Sequence, residues 1–207
     1  MVSAWKRYLR IAQGHLTHEK GTKVMKTALL VIDVQMALAH EDAAGTARSC
    51  PEASENIGRL LAHFRATEGN IMHIHHHGED SDDPFHADAP GAAVQPFAAP
   101  IEGESVVIKH VSSAFGGTTL EADLRIAGVE RVVICGATAN HCAESAARSA
   151  SSLGFDMIYA SDAVWAYGAT GPDGVDHSAE QIHSVTLANL HGEFGAVQST
   201  EEILATV

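Results

Sequence analysis

The chain has 207 residues, 45% of them hydrophobic, with 13 lysines and arginines, 26 acids and a formal net charge of −13. That size and apolar content suffice for one domain with a buried core, and the acidic balance argues against nucleic-acid or anionic-membrane partners. No apolar run approaches bilayer-spanning length, and three well-spaced cysteines make no disulfide framework; a reducing, cytoplasmic setting is expected.

In chain order, residues 1–24 read as a basic extension (Lys6, Arg7, Arg10, Lys20 and Lys23 against Glu19), expected to be poorly ordered, ahead of a single domain over 25–207. Ala28-Leu29-Leu30-Val31-Ile32-Asp33 is a continuous apolar strand ending in a carboxylate. Pro51 to Thr67 has helical spacing of Ile57, Leu60, Leu61 and Phe64. Asn70 to His75 and Ser105 to Lys109 read as the second and third strands. Between them His76 to Pro100, proline-rich and without a period, reads as a wall or lid. Thr118 to Ala127 reads as a helix opened by a Thr118/Glu121 capping box. Arg131 to Cys135 and Phe155 to Ala160 are further strands, Gly195 to Val197 a short sixth, and Ser178 to Gln181 caps the last long helix. This alternation predicts an α/β fold: three layers, α/β/α, around a mostly parallel sheet of about six strands.

Three residues carry candidate chemistry. Asp33 ends the first strand, Lys109 the third, and Cys142 follows the fourth at the start of an Ala-rich helix. A parallel sheet brings all three to its carboxyl edge, where such folds bind ligands. A helix N-terminus and a lysine both favour a thiolate, so a lowered Cys142 pKa is expected. The carboxylate can exchange the thiol proton with a leaving group. The competing reading is structural: a small buried cysteine beside a strand-end ion pair.

The order and spacing of these segments resemble the isochorismatase-like cysteine hydrolases, the superfamily that includes nicotinamidase and N-carbamoylsarcosine amidohydrolase. The carrying residues are Leu29 to Asp33 with Gln35, then Lys109 with Ser113, Ala114, Phe115, Thr118 and Leu120. They continue through the Cys135–Ala150 block, Ser161-Asp162-Ala163, and a tail with Phe194, Val197, Ser199, Thr200, Glu202 and Leu204. The resemblance implies an Asp33–Lys109–Cys142 triad with Asp33 as general base and acid, Lys109 as its electrostatic partner and Cys142 as nucleophile. It also implies a cis peptide at Ala137–Thr138 that aims the Thr138 and Cys142 N–H groups into an oxyanion hole.

The implied reaction is cleavage of the C–N bond of a small amide, carbamoyl or urea-like compound through a thioester. A vinyl-ether hydrolase of isochorismatase type and a non-catalytic binding module are the alternatives. Many relatives carry Thr, Val and Thr where this chain has Ala139, Ala143 and Ala146, and often Asn and Phe after Gln35, where it has Met36-Ala37-Leu38. Gln35, His75, His77, Phe115, Asn140, His141 and Trp165 are the expected pocket residues. No cofactor is expected; nicotinamidase-type relatives hold a divalent metal here, and His75, His77 and His86 are the ligands to weigh for a zinc-like ion. The expected partners are a small-molecule substrate and further copies of the chain, as a dimer or tetramer.

Overall fold

The computed structural model describes residues 25–207; the expectation for residues 1–24 lies outside them. Its strands are β1 (Thr27–Ile32), β2 (Asn70–His76), β3 (Ser105–Lys109), β4 (Arg131–Ala137), β5 (Asp156–Trp165), β6 (Ala169–Thr170), β7 (Asp176–His177) and β8 (Ala196–Gln198). Six of them form one sheet in the order β3-β2-β1-β4-β5-β8, parallel throughout, while β6 and β7 make a small antiparallel hairpin. The helices are α1 (Met36–Ala43), α2 (Ala53–Ala66), α3 (Leu120–Ile126), α4 (Cys142–Ser152), α5 (Ala179–Leu190) and α6 (Thr200–Leu204). Among the described residues no helix is long and apolar enough to cross a membrane.

The predicted three layers follow from two apolar clusters, one on each face of the sheet. Leu30, Ile32, Ile74, Val107 and Ile134 pack with α3, α4 and α5; Leu29, Val31, Ile71 and Val133 pack with α2 and α6. β1 is buried on both sides, which is why its sequence is apolar without alternation. On α2 the stripe Ile57, Leu60, Leu61 and Phe64 meets the second cluster, each side chain contributing roughly 1.5–3 kcal/mol. α4 instead approaches the sheet through Ala143, Ala146, Ala147 and Ala150, all fully buried, so this helix sits close to the strands.

Several sequence expectations need correction. α1 was not anticipated, because only Ala37 of its residues is buried and no apolar stripe marks it. The Thr118/Glu121 capping box does not form: the Thr118 hydroxyl donates back to the Ala114 carbonyl at 2.7 Å, and the helix starts at Leu120 without a side-chain cap. Ser178 does form its reciprocal box with Gln181, and Ser199 forms another with Glu202 at the start of α6. β5 runs on through Ser161-Asp162-Ala163 to Trp165, after a register shift against β4.

The long segment after β2 is docked against β1. Val94 bridges to Gln35, the Gln95 N–H donates to the Val34 carbonyl at 2.9 Å, and Met36 N–H donates to Ala93 at 2.7 Å. It forms the expected wall over the carboxyl edge.

Candidate active site

β1, β3 and the β4–α4 turn each deliver one side chain to the same point. Ile32 faces the α4 side, so a regular strand would send Asp33 to the other face. Instead Asp33 adopts φ 49°, the left-handed region, which turns its carboxylate back towards α4. Lys109 shares a face with Val107, which packs in the α4-side cluster. Cys142 is the first residue of α4. Gly136 lets β4 reach this position, since a Cβ there would lie 2.1 Å from the Ile32 carbonyl oxygen. The Ala137–Thr138 peptide is cis, as the resemblance implies.

The resulting contacts are direct. Lys109 Nζ lies 2.7 Å from Asp33 Oδ2 and donates to Cys142 Sγ at 3.4 Å. Asp33 and Lys109 are 3% and 1% exposed, so this pair is held out of water. Asp33 Oδ1 is buried and has no hydrogen-bond partner. Burial pushes the Asp33 carboxyl above its ordinary range, against the opposing pull of Lys109.

The lowered thiol pKa expected from sequence is not what the site provides. Burial, with the Asp33 charge behind it, pushes Cys142 up to about 11, and Lys109 only partly offsets them. The resting sulfur is therefore a thiol beside a base. It is still the least suppressed of the three: Cys50 is pushed to about 12, and fully buried Cys135 higher again.

The expected pocket residues divide. Asn140 and His141 flank the cysteine, with His141 exposed and its Nδ1 3.0 Å from the Thr138 hydroxyl. Phe115 packs on Phe155 and lines a groove with Ser149 and Leu153 along α4. Gln35 is fully buried and its amide is spent on backbone: Oε1 accepts from His76 N–H at 2.8 Å, while Nε2 donates to the His76 and Ala92 carbonyls. It is a strut between β1, β2 and the wall, not a group free to meet a ligand. Trp165 is likewise sealed in the α2-side cluster beneath Arg48, donating to the Tyr167 hydroxyl.

His75 and His77 are on the wrong face. Strand alternation sends His73, His75 and His77 to the α2 side, where His73 donates to Glu104, and the His77 ring lies against that of His110. The histidine on the triad side is His76, paired in register with Lys109. The sequence does not mark it, because which of the adjacent histidines meets Lys109 depends on the register between β2 and β3. Among the described residues no group of three or more His, Cys, Asp or Glu could hold a metal ion, and His75, His77 and His86 form no such set.

Elsewhere, a cavity of about 510 Å³ lined by Lys26, His63, Asn70, Arg131 and Val207 lies at the amino edge of the sheet, away from this chemistry.

With this geometry in place, comparison with known proteins is specific. The isochorismatase domain model matches residues 27–202. The isochorismatase-family protein YrdC of Bacillus subtilis is 33% identical over 179 residues, 86% of this chain and 95% of its own. A crystal structure of an isochorismatase-family protein from Chromobacterium violaceum superposes with a TM-score of 0.84 at 32% identity, covering 93% of this chain and 98% of that one. The N-carbamoylsarcosine amidase of an Arthrobacter species is 30% identical over 121 residues, 57% of this chain and 40% of its own. The chain belongs to the isochorismatase family of hydrolases.

Proposed function

We propose that this hydrolase cleaves the C–N bond of a small carboxamide, carbamoyl or urea-like compound, with Asp33, Lys109 and Cys142 as its catalytic triad. The observation that carries the reading is the buried Asp33 carboxylate within reach of the Cys142 thiol, with Oδ2 tied to Lys109 and Oδ1 bound to no other group. A base with a raised pKa and one free oxygen suits a proton that must be taken and then returned. Similarity to an amidase supports the C–N assignment.

Asp33 takes the Sγ–H proton as sulfur bonds to the carbonyl carbon, and the oxyanion is held by the Thr138 and Cys142 N–H groups. The C–N bond then breaks as Asp33 returns the proton to the departing nitrogen, leaving a thioester on Cys142. Water adds to the thioester with Asp33 taking its proton; the C–S bond breaks, the acid departs and sulfur regains the proton. Lys109 keeps Asp33 ionised between steps and steadies negative charge on sulfur. The same reading takes the enzyme as a cofactor-free dimer or tetramer.

An ammonia-release screen of primary amides, carbamoyl compounds and ureas tests it, with Cys142→Ala as control. Release that survives in the control protein overturns the assignment of Cys142.

A further inference from the structure

The triad leaves one buried polar group on its own face unexplained. His76 Nδ1 is sealed from solvent and has no hydrogen-bond partner. Its backbone is gripped at both N–H and carbonyl by the Gln35 amide, and its ring meets Phe85 of the wall edge-on at 5.7 Å between centroids. The residue as a whole is only half-buried, so a small turn of the ring opens Nδ1 to a ligand. A buried nitrogen held without a partner costs stability, and a ligand atom can recover it.

The neighbours say which ligand atom. His76 sits in register with Lys109, and the charges acting on it are Lys109, Asp33, Asp83 and His110. It is therefore on the Asp33–Lys109 side of Cys142, whereas the Thr138 and Cys142 N–H groups of the oxyanion hole come from the β4–α4 turn. In the reaction above, the side of Asp33 is where the leaving group collects its proton. Burial and the ammonium of Lys109 keep the imidazole neutral, so one ring nitrogen carries a lone pair, and Nδ1, which donates to no acceptor, is free to be that one.

We propose that His76 is a specificity-determining residue whose bare Nδ1 accepts a hydrogen bond from an N–H of the leaving nitrogen. The inference rests on the C–N reading and sharpens it. The substrates selected are those whose scissile nitrogen keeps an N–H after its lone pair turns to Asp33: primary amides, carbamoyl compounds and ureas. An ester or ether oxygen in that place leaves Nδ1 unpaired, and the site rejects it for that reason.

The test compares acetamide and urea with methyl acetate. In Cys142→Ala protein carrying ¹⁵N-labelled histidine, the His76 Nδ1 resonance, assigned by its loss in His76→Asn, shifts with acetamide and urea and not with methyl acetate. No shift with either amide, or an equal shift with the ester, overturns the inference. Turnover gives a second reading: His76→Ala loses roughly 10–100-fold more in ammonia release from acetamide or urea than in methanol release from methyl acetate. Equal losses on both would make His76 structural and sink the proposal. Binding that shifts Nδ1 without any ammonia release by the wild type contradicts the hydrolase reading alone.

Discussion

Two carboxylates, Asp33 buried and Glu104 half-buried, stand on opposite faces of the same sheet and are treated in opposite ways. Glu104, on the α2 side, is satisfied at both oxygens: Arg65 donates to each at 2.7 and 2.9 Å, and His73 and the Ile101 N–H share Oε2. Those bonds pull its pKa down to about 2, while burial keeps His73 neutral. Asp33, on the α4 side, has one oxygen bound and the other empty, and burial pushes its pKa up. A carboxylate whose acceptors are filled is fastened in place. One left half-filled beside a thiol can still take a proton, so the distinction between structure and chemistry lies in what is left unsatisfied.

Mutations should separate the two sites cleanly. Cys142→Ala is expected to abolish turnover with the fold intact by circular dichroism, since it removes one sulfur from a helix start. Asp33→Asn should lose ~10²–10⁴-fold in kcat, read by ammonia release. Lys109→Ala should damage both activity and stability, the latter by about 3–5 kcal/mol in denaturant unfolding, because Asp33 is left buried without its counter-charge. Glu104→Gln should behave in the converse way, costing about 1–3 kcal/mol of stability while activity per folded molecule is retained. A Glu104→Gln protein that folds normally but has lost its activity would break the comparison.

Acid sharpens it further. Glu104 has a depressed pKa, so its stabilisation is fully present above its unfolded value of 4.5 and is lost as pH falls towards about 2. Asp33 has a raised pKa, so the cost of ionising it appears as pH rises from 3.8 through its folded value, and below that value it is protonated and no longer a base. Activity should therefore disappear on acidification before the fold does. Parallel kcat/KM and circular dichroism titrations check this, and coincident midpoints would contradict it.

Much of this was legible in the sequence, because strand ends in a parallel sheet are fixed by apolar runs. The runs before Asp33, Lys109 and Cys142 were enough to bring the three to one edge. What failed was whatever depends on register or on a partner distant in sequence. Proximity to the strand end points to His75 and His77 as pocket residues, but a one-residue shift in a pleated strand changes the face, and His76 is the residue that meets Lys109. Gln35 and Trp165 flank the edge in sequence and so read as pocket residues, yet their polar atoms are consumed by His76, Ala92 and Tyr167. The thiol's direction was misjudged because helix position and Lys109 are visible in sequence, while the depth of burial that outweighs them is not.

The central claim is that Asp33 serves Cys142 as a base. It is tested most directly by iodoacetamide labelling of Cys142 at about pH 7, wild type against Asp33→Asn, with Cys50 and Cys135 as slow internal controls in the mass spectrum. The account predicts labelling slowed at least ~10-fold in Asp33→Asn, since no group remains to take the thiol proton. Equal or faster labelling would contradict it. A neighbouring charge that merely holds the thiol protonated gives that result, because deleting such a charge lowers the thiol pKa.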